Sequence, residues 1–129
     1  MTPTPHTIGS DQTLAHAHDV MRAHGVRHLP VLRGGKLVGV LSQRDLYFVE
    51  SSTLATRTVD EVAEAMTQDV YTVGPREHIG AVVKQMAEHK FGCAVVVERG
   101  HVVGIFTATD ALGLLAKILD GATASASSH

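Results

Sequence analysis

The chain has 129 residues, 44% of them hydrophobic, enough for one compact unit with a real core, which excludes disorder for most of its length. A net charge of −2 and a pI near 6.5, with no cluster of Lys and Arg, exclude a protein that grips nucleic acid through a broad basic face. Trp is absent and aromatics are 4%, so the core must be aliphatic, and the single cysteine, Cys93, excludes an internal disulfide framework and fits a reducing, cytoplasmic compartment.

The opening Met1-Thr2-Pro3-Thr4-Pro5 has no basic flank or apolar run and is not expected to be a signal peptide, and no apolar run is long enough for a membrane span. Ser10 and Asp11 are placed to cap a helix whose Leu14, Ala17, Val20 and Met21 share one face, and Gly25 ends it. His28 to Leu32 and Leu37 to Leu41 read as a hairpin joined by Arg33-Gly34-Gly35-Lys36, with Gly35 supplying positive φ. Ser51 to Arg57 reads as a loop, and Thr58 to Met66 as a short connecting helix opened by a Thr58 and Glu61 capping box. Pro75 then starts a helix with Ile79, Val82, Val83 and Met86 on one stripe, and Lys90 stands where Gly25 stood, which predicts a differently shaped end. A second hairpin follows over Cys93 to Val97 and Val102 to Phe106, turning at Gly100, and a closing helix carries Leu112, Leu115, Ile118 and Leu119 at helical spacing. Gly121 to His129 is rich in Ala and Ser, and is expected to be a disordered tail.

These elements occur twice. Shifted by 65 residues, Met1 to Asp45 aligns without a gap on Met66 to Asp110, with 11 identities in 45 pairs that include Gly35/Gly100, Gly39/Gly104 and Asp45/Asp110. Two copies are too few for an open solenoid and imply a pseudo-twofold pair, with one repeat over residues 1–50, a linker over 51–65 and the other repeat over 66–120.

The chemistry concentrates where a strand meets a helix. Ser42-Gln43-Arg44-Asp45 and Thr107-Ala108-Thr109-Asp110 each place a hydroxyl three residues before a carboxylate. Such a pair is a helix capping box, and the same helix start can hold phosphate while its aspartate accepts the two hydroxyls of a ribose. Each pair follows a strand interrupted by a glycine, Gly39 or Gly104, which marks a close approach by another group. Nine histidines include His16, His18 and His24 on one helix, but no ligand set falls at metal spacing, so no metal site is expected. Neither a nucleophile elbow nor a spaced pair of acids is present, so no catalytic residue is expected.

His28-Leu29-Pro30-Val31, Leu37 to Leu46, Met66 to Val73 and Val103 to Leu112, in this doubled order, resemble the tandem cystathionine-β-synthase (CBS) domain pair, or Bateman module, over residues 1 to about 119. The resemblance implies an α+β fold in which two β-α-β-β-α repeats pack through their sheets and leave two clefts for adenosine-containing ligands. By the same resemblance, Asp110 with Thr107 and Thr109 would hold a ribose, Thr72 and Val73 would frame the adenine, and Arg27 and His28 of the other repeat would meet phosphate. The corresponding cleft on Asp45 would use Ser42, Arg44, Thr7 and Ile8. It is expected to be the weaker, because Gly92 and Cys93 replace Arg27 and His28. The implied function is a stand-alone regulatory module, not an enzyme, that binds AMP, ADP, ATP, S-adenosylmethionine or NAD(H), with Mg2+ able to accompany the phosphates. It would need no resident cofactor, form a homodimer and modulate a partner protein, without nucleic acid or membrane. The competing reading is a ligand-independent scaffold that dimerises through its helices.

Overall fold

The structure is a computed structural model that describes residues 2–3, 5–52 and 60–127. In chain order the elements are β1 (Thr2–Pro3), β2 (Ile8–Gly9), α1 (Leu14–His24), β3 (His28–Arg33), β4 (Lys36–Ser42), α2 (Gln43–Ser52), α3 (Val62–Ala65), β5 (Thr72–Val73), α4 (Ile79–His89), β6 (Cys93–Glu98), β7 (His101–Thr107) and α5 (Ala108–Ser127). This is the expected repeated order.

The hairpins form because Gly34, Gly35 and Gly100 adopt positive φ, as does Arg99 at 53°, in two-residue turns that match the twist of the strands. Both hairpins shift register at the same place, between Val31 and Leu32 and between Val96 and Val97, so the duplicated backbone extends to its irregularities. The helix starts differ from expectation. Thr13 caps α1, its side chain accepting from the His16 N–H, and His78 caps α4 by accepting from the Gly80 N–H. Ser10, expected to cap α1, is instead buried beside β3, its N–H donating to the Leu32 carbonyl at 2.9 Å.

β2, β3 and β4 form one sheet, and β1, β7, β6 and β5 the other. The first strand of the chain belongs to the second repeat's sheet, with Thr2 opposite Ile105. Reciprocally, Thr67 of the second repeat exchanges two 2.9 Å backbone hydrogen bonds with Val40 of the first. Gly39 is required here: a Cβ would stand 2.7 Å from Met66 Sδ and 2.9 Å from the Thr67 carbonyl. The group approaching this strand glycine is therefore the other repeat.

Each repeat has its own core. Leu29, Val31, Leu41 and Met21 are buried with Val62 in one, and Val82, Met86, Ala94, Val96 and Phe106 in the other. Complete burial of a Leu or Val is worth about 1.5–3 kcal/mol. The α4 stripe is narrower than predicted, since Ile79 and Val83 are exposed. Val62 lies in the first core because the connecting segment is tied to the first repeat: Ala63 and Val62 donate to the Ser10 and Gln12 carbonyls, and Leu14 to that of Asp60. Thr58 lies outside the described residues, and Glu61 precedes α3 without a side-chain cap bond. α5 runs to Ser127, through most of the segment expected to be disordered, a continuation that its alanines favour.

Candidate functional site

β4 and β7 end at Ser42 and Thr107, each at the start of a helix. The Ser42 N–H donates to Asp45 Oδ2 at 2.9 Å while the Asp45 N–H donates to Ser42 Oγ at 3.0 Å. Thr107 and Asp110 repeat the pair at 2.9 and 3.1 Å. Both boxes are therefore real caps, and each fixes its carboxylate by one oxygen at the edge of a cleft between the repeats.

The two clefts arise from the strand exchange. β1 lies on β7 but β2 lies on β3, so Pro5, His6 and Thr7 lie on the way from one sheet to the other. That crossing puts Pro5 and His6 on a cleft of about 430 Å3 also lined by Gly25, Arg27, His28, Thr107, Thr109 and Asp110. In the same way Thr67 pairs with β4 and β5 with β6, so Asp69, Val70 and Tyr71 cross a second cleft of about 430 Å3 lined by His28, Ser42, Arg44, Asp45, Lys90, Phe91, Gly92 and Cys93. A volume of this order accommodates a small-molecule ligand.

The structure thus brings Arg27, His28, Thr107, Thr109 and Asp110 together, and likewise Ser42, Arg44 and Asp45. It corrects the expected walls. Thr72 and Val73 form β5 and do not line the Asp110 cleft, and Thr7 and Ile8 do not line the Asp45 cleft. Thr7 and Ile8 instead border a depression of about 520 Å3 by the outer turn at Gly34, with Ser10 and Arg33. It is larger, yet contains neither of the boxed carboxylates. The reason for the error is topological: the residue that faces each carboxylate comes from the other repeat and precedes the short strand.

The charge pattern also differs from expectation. Gly92 and Cys93 are uncharged, but Lys90 and Arg44 both line the Asp45 cleft, so it carries cations as well as Asp45 and Asp69. Its wall is aromatic, with Tyr71 stacked on Phe91 at 5.1 Å and Phe91 on His89 at 5.3 Å. Thr67 Oγ1 lies 3.4 Å from both Asp45 carboxylate oxygens. At the Asp110 cleft His6 stacks on His24, with ring centroids 3.6 Å apart. Burial pushes the His28 pKa below its usual value, Asp45 opposes the shift and Arg27 adds to it. The sequence marks Lys90 only as a helix end and singles out neither His6 nor Tyr71, whose one signal is that they align with each other in the repeat. Among the described residues no group of three His, Cys, Asp or Glu could hold a metal, and no helix is long and apolar enough to cross a membrane.

A family model for the CBS domain matches residues 1–51 and 59–117. The chain belongs to the CBS-domain family. This tandem CBS pair is similar to the structure of the AcuB protein of Vibrio cholerae, at 36% identity and a TM-score of 0.78, over 93% of this chain and 89% of that one. It is also similar to CBSX2, solved in complex with AMP, at 26% identity and a TM-score of 0.77 over 92% and 93% of the two chains. A third likeness is the MJ0100 CBS pair, solved with 5′-methylthioadenosine and S-adenosyl-L-methionine, at 27% identity and a TM-score of 0.79 over 89% and 93%. Among curated proteins, the inosine-5′-monophosphate dehydrogenase of Korarchaeum cryptofilum is 37% identical over 105 residues, 81% of this chain. The chain spans about a fifth of the length of that enzyme.

Proposed function

We propose that this CBS pair is a regulatory module, not an enzyme, that binds an adenosine-containing ligand between its repeats and modulates a partner protein in the cytoplasm. The observation that carries the reading is Asp110, held by its capping box and facing Arg27 and His28 across a cleft of ligand size. In this reading the Asp110 carboxylate accepts the ribose hydroxyls, Thr107 and Thr109 add hydroxyl contacts, and Arg27 pairs with phosphate. The Pro5 and His6 crossing takes the adenine-framing role first given to Thr72 and Val73. AMP, ADP, ATP, S-adenosylmethionine and NAD(H) share the adenosine that this arrangement recognises. Mg2+ would enter only with a polyphosphate. Solved neighbours holding AMP or S-adenosyl-L-methionine support the class.

The Asp45 cleft is the second site of the same kind, with Tyr71 and Phe91 as an aromatic wall and Lys90 and Arg44 as cations. Association into a homodimer through α5 belongs to the proposal, because Leu112, Leu115, Ile118 and Leu119 stay exposed on it.

Thermal unfolding with each ligand tests the reading. Ligand at a hundred times its Kd should add about 2.7 kcal/mol of stability. Asp110→Ala should lose about 1 kcal/mol of cap energy and the whole ligand response. A ligand response retained in Asp110→Ala refutes the assigned site, and no response to any ligand favours the scaffold.

A further inference from the structure

Among the described residues, His28 alone borders both clefts, standing beside Arg27 in one and beside Asp45 and Gly92 in the other. Its position follows from the fold: it is the first residue of β3, paired with Ser42, so it sits at the strand ends where the two repeats face each other. The ring reaches over the repeat boundary. Its Nε2 lies 3.1 Å from where a Cβ on Gly92 would stand, so any side chain at Gly92 would press on the imidazole. Gly92 aligns with Arg27 and Cys93 with His28, so the ring has no imidazole counterpart from the second repeat. The pair of clefts is pseudo-symmetric, but the group between them is single.

Burial favours the uncharged ring, which carries one N–H donor and one acceptor nitrogen. Rotation or a change of tautomer can offer that N–H to either side, and never to both.

We propose that His28 couples the two clefts as one hydrogen-bond donor shared between two ligands, so that filling either cleft weakens binding in the other. The inference rests on the functional reading above. Linkage makes the effect reciprocal, and losing one neutral hydrogen bond sets it at about fivefold. Repulsion between two ligand phosphates would act in the same direction, but would not depend on the ring.

The test is calorimetric titration with AMP of the full chain and of Asp45→Ala and Asp110→Ala, which report each cleft alone, in the native and His28→Phe backgrounds. Phenylalanine keeps a ring beside Gly92 and removes the donor. The expected result is that the second AMP binds the native chain about fivefold more weakly than the same cleft binds it alone, and that His28→Phe abolishes the difference. His28→Gln, whose amide has two N–H donors, should abolish it as well and serves if the phenylalanine variant does not fold. Independent binding in both clefts, binding in one cleft only, or coupling that persists in the folded His28 variants overturns the proposal and leaves nucleotide binding intact. Absence of any AMP binding overturns the functional reading along with it.

Discussion

Gly25 and Lys90 hold the same left-handed backbone, with φ of 63° and 57°, at equivalent helix ends. Each donates its N–H to a carbonyl in the last turn, that of Met21 or Met86. The expectation of a differently shaped end is thus wrong: tertiary context imposes the glycine conformation on a lysine, which costs it about 1 kcal/mol. Lys90→Gly should therefore raise stability by about 0.5–1 kcal/mol in urea unfolding. It should also weaken a phosphate-bearing ligand in the Asp45 cleft about tenfold, since a charge-assisted contact is worth about 1.5–3 kcal/mol. Unchanged ligand affinity would remove Lys90 from the proposed site.

Gly39→Ala drives a methyl group to within 3 Å of Met66 and the Thr67 carbonyl. The methionine can turn aside, but the carbonyl belongs to the strand exchange. Overpacking of this kind costs about 1–3 kcal/mol, so the variant should unfold at lower urea concentration. Gly113→Ala, with nothing near its Cβ, is the control and should be neutral or mildly stabilising.

Burial pushes the Cys93 thiol up to about 11. At pH 8 its alkylation should be about a hundredfold slower than in the unfolded chain, where the thiolate is far more abundant. The sign for stability follows from the raised value. Below pH 9 both states keep the proton and nothing is lost, whereas between pH 9 and 11 the unfolded chain releases it first and the fold weakens. Cys93→Ala should flatten that alkaline loss in urea midpoints measured at pH 8 and 10.

The apolar residues of α5 are 65% exposed at Leu112 and 68% at Ile118. If they bury one another in a homodimer, sedimentation should give twice the chain mass, and Ile118→Glu should return the monomer without lowering its helicity. A monomeric native chain would sink the dimer.

The repeat, the hairpins, the Gly25 cap and both capping boxes were legible because local rules govern them: periodicity, turn glycines and hydroxyl-to-carboxylate spacing. Arg27 with Asp110 was legible only through the family resemblance. What escaped was set by the pairing of distant strands. No local pattern tells that Thr2 joins β7, or that Pro5 and His6 must therefore cross the Asp110 cleft while Thr7 turns away. Thr13 and His78 were missed as caps because Ser10 and Pro75 are stronger local signals, which tertiary hydrogen bonds at Ser10 overrode.

The exchange of Thr2 onto Ile105 spans nearly the whole chain. During synthesis β1 leaves the ribosome long before its partner β7. Thr67 can close onto Val40 as soon as the second repeat begins, but the edge strand β1 must wait until β7 is complete. Closing so long a loop is slow in entropic terms, which makes this seam a late event in folding and, at the other end of the protein's life, an early place for it to open.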